Sequence, residues 1–208
     1  MKITKYLHSC LLIEEQGKQI LIDPGQFTYQ EKVLDSNKLE KLDYILITHE
    51  HFDHCYLPFI HELVQKFPGV KIISNPSVVA LLQKEDLQAS TTGNEFIEIE
   101  NVPHEDTVIS APPANVLFRV FNQLTHPGDS HHFTLQTPIL ALPVQAPWGS
   151  MTDAIKLAIK LKPKVIIPIH DWHWKDEVRE GMYKRLEEYF RQFGIEFKAA
   201  ETGIGIEV

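Results

Sequence analysis

Short apolar runs alternate with amphipathic segments along the first part of the chain. Each run is rich in isoleucine and leucine and is bounded by glycine, proline, aspartate or asparagine, which is typical of buried strands. The pattern predicts strands at residues 3–7, 11–14, 19–23, 43–47 and 70–74, helices at 57–67 and from Pro76 onward, and a loop with a short helix at 35–41 within 26–42. Helices that follow strands in this way are expected to cover a sheet.

The second part of the chain begins with strands and returns to helices. Residues 96–100 alternate apolar and polar side chains, as a half-exposed strand does. Further strands are predicted at 107–110, 115–121, 133–136, 139–142, 164–169, 195–197 and 204–208, and helices at 150–161 and 174–193. Strands followed by helices, twice over, predict one α/β domain over residues 1–208, made of two similar halves with their sheets face to face and their helices outside.

Composition and charge narrow the classes of function. The chain has 208 residues, 43% hydrophobic and 23% charged, which is ordinary for a globular enzyme with one core. The net charge of −8 argues against nucleic acid as a partner, because phosphate binding favours a basic face. No apolar run has the length of a membrane span and the N-terminus lacks a signal-peptide core, so a cytoplasmic protein without a membrane partner is expected. Cys10 and Cys55 are too few for a disulfide framework, and Cys55 is interpreted as a small buried apolar residue.

A dense group of potential metal ligands follows the predicted strand 43–47. Within six positions the chain carries His49, His51, Asp53 and His54. Imidazole suits zinc, iron and manganese, and carboxylate adds a hard oxygen ligand. The group lies at the carboxyl end of a strand and before a helix, where α/β proteins usually place their sites. The group therefore predicts a metal site. Because the chain turns between His51 and Asp53, its side chains can face the same space from two directions, which would suit a pair of ions.

Three more ligand-type residues stand at the ends of predicted strands in the second half: His104, Asp129 and His170. Together with the first group they make seven candidates, which suits two metals with three terminal ligands each and one shared carboxylate. A carboxylate is the side chain suited to bridging two cations, which favours Asp129. Asp23 ends the strand at 19–23, where it can orient a ligating histidine or cap the turn at Pro24-Gly25.

The motifs, taken in order, resemble those of the metallo-β-lactamase superfamily. The His-x-His-x-Asp-His signature matches residues 49–54, an aspartate after an early strand matches Asp23, and the later motifs match His104, Asp129 and His170. Within the superfamily the chain looks most like the compact branch that includes ascorbate-6-phosphate lactonase, on the segments 8–9, 21–25, 126–129 and 167–170. The resemblance implies a four-layer αββα sandwich of two face-to-face mixed β-sheets with helices on the outer faces.

The resemblance also implies how the ligands divide between the metals and what they do. The first metal would have His49, His51 and His104 as its terminal ligands. The second metal would have Asp53, His54 and His170. Asp129 would bridge the two ions and Asp23 would support a ligand from behind. The implied activity is that of a metal-dependent hydrolase, in which a hydroxide between the metals cleaves an ester, lactone or phosphodiester, with Asp53 as the catalytic residue that orients it.

The identity of the metals and of the substrate stays open at this stage. Five imidazoles and two carboxylates favour two zinc ions, and manganese and iron fit the same set. The substrate is expected to be a small molecule selected by loops such as 26–30 and 146–151, and the segments 111–114 and 146–150 depart from the family pattern. Candidates to line the substrate pocket, each of which can equally serve packing or the surface, are His8, His131, His132, Trp148 and His173.

A second class of function is a metal-binding or ligand-sensing protein of the same fold without turnover. The complete set of seven ligands weighs against it, because the loss of one ligand usually suffices to abolish activity. The iron oxidoreductases of this fold are disfavoured, since they resemble the chain but carry glutamate where His51 stands. Aromatic residues expected on the surface, Phe27, Tyr29 and Trp174, are compatible with a homo-oligomer.

Overall fold

Two mixed β-sheets with helices on their outer faces form the architecture of the computed structural model, which describes residues 1–108 and 110–208. In chain order the strands are β1 Lys2–Lys5, β2 Leu11–Glu15, β3 Lys18–Ile22, β4 Tyr44–Ile47, β5 Lys71–Ser74, β6 Ala89–Ser90, β7 Ile97–Pro103, β8 Ala114–Val120, β9 Leu124–His126, β10 Ile139–Pro143, β11 Val165–Ile169, β12 Glu196–Phe197 and β13 Gly205–Glu207. The helices are α1 Gln26–Gln30, α2 Leu57–Lys66, α3 Pro76–Gln83, α4 Met151–Leu161 and α5 Asp176–Arg191.

Strand directions bring the ends of several strands to one edge of each sheet. The first sheet has the order β13-β1-β2-β3-β4-β5-β6, and the second has the order β12-β11-β10-β9-β8-β7. In the first sheet β3 and β4 are parallel, and β1 shares their direction because β2 is antiparallel to both β1 and β3. In the second sheet β7, β9, β10 and β11 share a direction, because β8 is antiparallel to β7 and β9.

Side chains alternate between two cores along each buried strand, since successive residues of a strand point to opposite faces. On β3, Ile22 faces the core between the sheets, where it joins Phe118 and Ile167 of the second sheet. Leu21 faces the other way and packs in the outer core under α2 and α3, which also contains Phe59 of α2. A third core lies between the second sheet and the helices α4 and α5. These cores define four layers, and the predicted αββα sandwich is confirmed.

Several predicted elements differ from the observed ones. Residues 133–136 form no strand in the described structure; Phe133 and Leu135 pack into the core under α4 and α5, so their alternation reflects packing and not sheet pairing. Of the strand predicted at 107–110, Ile109 lies outside the described residues and the other three positions are not in a strand. Strand β9 has only three residues, too few to show a period of two. Strand β13 belongs to the second half of the sequence, but it pairs with β1 of the first sheet.

The segment 26–42 and the aromatic residues also depart from expectation. Residues 26–30, predicted as a loop, form α1, and the helix predicted at 35–41 is only a 3-10 turn at Ser36–Lys38. The three aromatic residues expected on the surface are half-buried: Tyr29 packs against Phe59, and Phe27 stacks on Trp172 with ring centroids 5.0 Å apart. Among the helices of the described chain, none is long and apolar enough to cross a bilayer.

Candidate metal centre

The ends of six strands carry the candidate ligands and their neighbours. These strands run in the common direction of their sheet, so their carboxyl ends meet at one edge of the sandwich. The residues that follow them are His8 after β1, Asp23 after β3, His49 to His54 after β4, His104 after β7, Asp129 after β9 and His170 after β11. Strand direction, and not closeness in sequence, therefore assembles the site.

The carboxylate of Asp129 lies at the centre of this group and is 2% exposed. Its Oδ1 lies 3.1 Å from Nε2 of His54, and its Oδ2 lies 3.1 Å from Nε2 of His170. The same Oδ2 lies 3.5 Å from Nε2 of His104 and 3.8 Å from Nε2 of His49. One carboxylate is thus within reach of imidazoles from both sheets.

The ligand-type atoms divide into two compact groups, each with all its donor atoms within 4.8 Å of one another. The first group contains His49, His51, His104 and Asp129, and the second contains His8, Asp53, His54 and His170. The structure therefore brings together all seven residues that the sequence predicts as ligands, and it adds His8 to the second group.

Asp23 and Thr48 hold two of the histidines from behind. The buried carboxylate of Asp23 accepts hydrogen bonds from the backbone N–H of Thr48 at 2.8 Å, from its hydroxyl at 2.8 Å and from Nδ1 of His54 at 2.7 Å. The Thr48 hydroxyl in turn accepts from Nδ1 of His49 at 3.1 Å. Both imidazoles are thereby fixed with the proton on Nδ1 and with Nε2 facing the centre, the arrangement that prepares histidine for a metal.

Backbone carbonyls hold two further histidines in the same way. Nδ1 of His104 donates to the carbonyl of Glu105 at 2.6 Å, and Nδ1 of His170 donates to the carbonyl of Gln145 at 2.8 Å. In both rings Nε2 is directed toward Asp129. The four histidines nearest Asp129 thus share one orientation, with Nδ1 donating a hydrogen bond away from Asp129 and Nε2 directed toward it.

The residues fit a pair of divalent cations. Nε2 of His49, His54 and His104 and Oδ1 of Asp129 are buried and have no hydrogen-bond partner among the residues that the structure describes. Buried polar atoms in proteins are rarely left without partners, and convergent imidazoles and carboxylates are the donors that zinc, manganese and iron prefer. Cations at the centre of the two groups would satisfy these atoms.

Burial and neighbouring charges determine which of the ligand-type side chains are charged. Burial raises the pKa of Asp129, but the neighbouring His170 and His54 outweigh it and hold the pKa well below the usual value. Burial lowers the pKa of His54, but Asp129, Asp23 and Asp53 together raise it well above the usual value. A cation bound here would take over the positive charge of the His54 imidazolium and release its proton. Burial lowers the pKa of His49, which is therefore neutral, the form that binds metal.

The residues predicted to line the substrate pocket are placed at different depths. Trp148 is half-buried and donates from Nε1 to Oδ2 of Asp129 at 3.0 Å. His131 lies beside it, with ring centroids 5.3 Å apart, and its Nε2 donates to a backbone carbonyl. The side chain of His132 is 70% exposed, and His173 is exposed with its ring centroid 6.3 Å from that of His170. His8, the fifth candidate, is buried in the second ligand group.

Sequence reasoning missed the residues that position the ligands without binding them. Thr48 connects Asp23 to His49, and Oδ1 of Asn115 accepts from the backbone N–H of Asp129 at 3.4 Å. Gly128 has φ +60°, and a Cβ there would lie 2.2 Å from Oδ1 of Asn115. A glycine directly before Asp129 was the available signal; Thr48 and Asn115 are of residue types that give none.

Comparison with known proteins agrees with the fold. A family model described as the beta-lactamase superfamily domain matches residues 2–170. Protein Rv0786c of Mycobacterium tuberculosis is 29% identical over 201 residues, which cover 90% of this chain and 92% of the relative. A UPF0173 metal-dependent hydrolase of Exiguobacterium sp. is 26% identical over 196 residues, which cover 82% of this chain and 85% of the relative.

A solved structure supports the same assignment at the level of the fold. Igni18, a novel metallo hydrolase of the hyperthermophilic archaeon Ignicoccus hospitalis, superposes with a TM-score of 0.72 at 20% identity and covers 100% of this chain and 98% of its own. The family model spans most of the sequence, and the relatives align over nearly their full lengths. The chain therefore belongs to the metallo-β-lactamase superfamily, in the compact branch whose relatives are named metal-dependent hydrolases.

Proposed function

We propose that the protein is a hydrolase that uses a hydroxide shared by two divalent cations to cleave an ester, lactone or phosphodiester bond in a small molecule. The observation that carries this proposal is the convergence of buried, unpartnered Nε2 atoms on Asp129, counted within the described part of the chain. When bound, the cations would supply hydroxide near neutral pH and would polarise the bond to be cleaved.

The two groups of ligand-type residues support a division of labour between the ions. The first ion would be held by His49, His51 and His104, and the second by Asp53, His54 and His170. Asp129 lies between the groups and is the bridging residue in this proposal. Zinc is the favoured metal, because imidazoles outnumber carboxylates in both groups; manganese and iron fit the same donors.

Asp53 combines a position at the centre with access to solvent. Its side chain is 18% exposed, whereas those of His54 and His8 beside it are buried. Burial raises the pKa of the Asp53 carboxyl, but His54 and His8 lower it by a larger amount. The net shift of the pKa is downward, so the carboxylate is charged at neutral pH. An ionised acceptor at this place would orient the attacking water and accept a hydrogen bond from it.

Aromatic side chains near the ligand groups would select the substrate. Phe52 is 57% exposed within the ligand segment, between His51 and Asp53, and its ring centroid lies 6.2 Å from that of Phe27. Phe27 stacks on Trp172, and Trp148 donates a hydrogen bond to Asp129. These residues favour a substrate with an apolar or planar portion next to the bond that is cleaved.

The test pairs metal content with hydrolysis of a panel of p-nitrophenyl esters, lactones and bis-p-nitrophenyl phosphate. The fully metallated protein is expected to hydrolyse at least one class. His49→Ala is expected to lose at least about 100-fold in rate, more than the loss of a residue that merely supports a ligand. The matched control is His61→Ala, because His61 is half-exposed on α2, lies 3.6 Å from Glu85 and belongs to neither ligand group.

Two results would contradict the proposal. Full activity of His49→Ala would show that hydrolysis does not depend on the ligand groups. Inactivity of the fully metallated protein toward the entire panel would instead favour the alternative function, a metal-binding or ligand-sensing protein of the same fold without turnover.

A further inference from the structure

His8 lies in the turn between β1 and β2 and reaches into the second ligand group. It is 1% exposed, and neither ring nitrogen has a hydrogen-bond partner in the described residues. Its Nε2 lies 3.1 Å from Oδ2 of Asp53 without the alignment of a hydrogen bond. The ligand-type atoms of His8, Asp53, His54 and His170 all lie within 4.8 Å of one another.

The backbone holds His8 in this place against its conformational preference. His8 has φ +61°, in the left-handed region that residues other than glycine seldom adopt. The turn is closed by hydrogen bonds from the backbone N–H of Tyr6 to the carbonyl of Cys10 at 2.9 Å and from that of Cys10 to Leu7 at 3.2 Å. Strained backbone of this kind clusters at functional sites, where the side chain that it directs has a task.

His8 is also coupled to a residue from the other sheet. The backbone N–H of His170 donates to the carbonyl of His8 at 3.2 Å, and the two ring centroids lie 3.9 Å apart. His170 itself has φ +61°. Two left-handed histidines, one from each sheet, are thus joined at the second ligand group, which a packing role for His8 does not explain.

We propose that His8 is a fourth terminal ligand of the second cation, an inference that rests on the proposed function. With Asp53, His54, His170 and the bridging Asp129, the second cation would then have five protein ligands in addition to the shared hydroxide. The first cation would have only His49, His51, His104 and Asp129.

This asymmetry assigns different tasks to the two cations. A cation with fewer protein ligands keeps more of its positions open, and open positions are typical of catalytic metals. The first cation is therefore the one with more room for substrate beside the shared hydroxide, and the second is the more tightly held.

The test is titration of the metal-free protein with Co²⁺, followed by calorimetry and by the visible absorption of each equivalent. Wild type is expected to bind two equivalents. His8→Ala and His8→Gln are each expected to bind one equivalent as wild type does and the other at least about 100-fold more weakly, with a changed absorption band for the weakened equivalent. His61→Gln on α2 is the matched control and is expected to titrate as wild type.

Glutamine separates ligation from support of Asp53. It retains an N–H that can face Asp53, but it is a much poorer metal ligand than imidazole. Restoration of wild-type affinity in His8→Gln would overturn the proposal and make His8 a positioning residue, and so would two wild-type affinities in His8→Ala. Circular dichroism of the metal-free variants checks that they fold; if His8→Ala does not, His8→Gln decides. Failure of wild type to bind Co²⁺ at all would refute the proposed function itself.

Discussion

Replacement of Asp23 by asparagine tests whether the ligand loop is held from behind by charge. Asp23 is fully buried and accepts three hydrogen bonds, two from Thr48 and one from Nδ1 of His54. Its φ is +49°, a left-handed value that asparagine tolerates and that strains alanine. Asp23→Asn therefore removes the charge and one acceptor while it preserves the shape and the backbone.

The magnitude follows from the geometry of the three bonds. An amide oxygen that accepts from the backbone N–H of Thr48 leaves the NH₂ group facing the hydroxyl of Thr48 and Nδ1–H of His54. The hydroxyl can rotate to accept, but His54 meets a donor and loses its bond or moves its proton to Nε2, where the cation would bind. A hydrogen bond to a charged group contributes about 1.5–3 kcal/mol, and the loss of such a support costs about 10–100-fold in metal affinity, equivalent to about 1.4–2.8 kcal/mol.

The assay has two readouts. Competition with a chelator should show affinity for one Zn²⁺ reduced by about 10–100-fold, and urea unfolding of the metal-free protein should show about 2 kcal/mol lost. Asp35→Asn is the control, because Asp35 is exposed and only caps the turn at Ser36–Lys38. Zn²⁺ affinities within twofold of wild type, together with an unchanged free energy of unfolding, would refute the reasoning.

Two further predictions concern the buried histidines and thiols. Burial lowers the pKa of His8 from 6.5 to about 3 and holds that of His49 well below 6.5, so below pH 6.5 the unfolded chain binds protons that the folded chain does not. His54 and His170, whose pKa values are raised by nearby carboxylates despite burial, are protonated in both states there and add no slope. The metal-free protein should therefore lose about 1.4 kcal/mol of stability per pH unit for each such histidine between pH 6 and 5, and urea midpoints independent of pH would contradict this. Cys10 and Cys55 are buried free thiols, and burial raises the pKa of both, that of Cys55 to about 12. An aromatic disulfide reagent should react with both only after denaturation, and rapid labelling of the native protein would show that the outer core opens.

Prediction of the elements succeeded where one face or both faces of a segment are buried continuously. Residues 44–47 are all buried, and their apolar run marks β4 directly. The amphipathic stripe of α2, with Phe59, Ile60 and Leu63 inside, marks that helix equally well. Prediction failed at 133–136, where Phe133 and Leu135 alternate like a strand but are buried by helices instead of by pairing. A pattern of burial states that a side chain is covered, and it does not state by what.

Some residues of the candidate site could likewise be predicted from the sequence, and others could not. The sequence by itself determined which residue types stand at the strand ends, because His49 and His170 each follow a buried apolar run and His104 follows an alternating, half-exposed strand. Only the tertiary structure decided which of the remaining polar residues meet them. His8 and His132 look alike in the sequence as polar residues of connecting segments, yet one is buried against His170 and the other faces solvent. The reason is that local periodicity records the burial of a strand, whereas contact between the two sheets joins residues such as His8 and His170 that no local pattern relates.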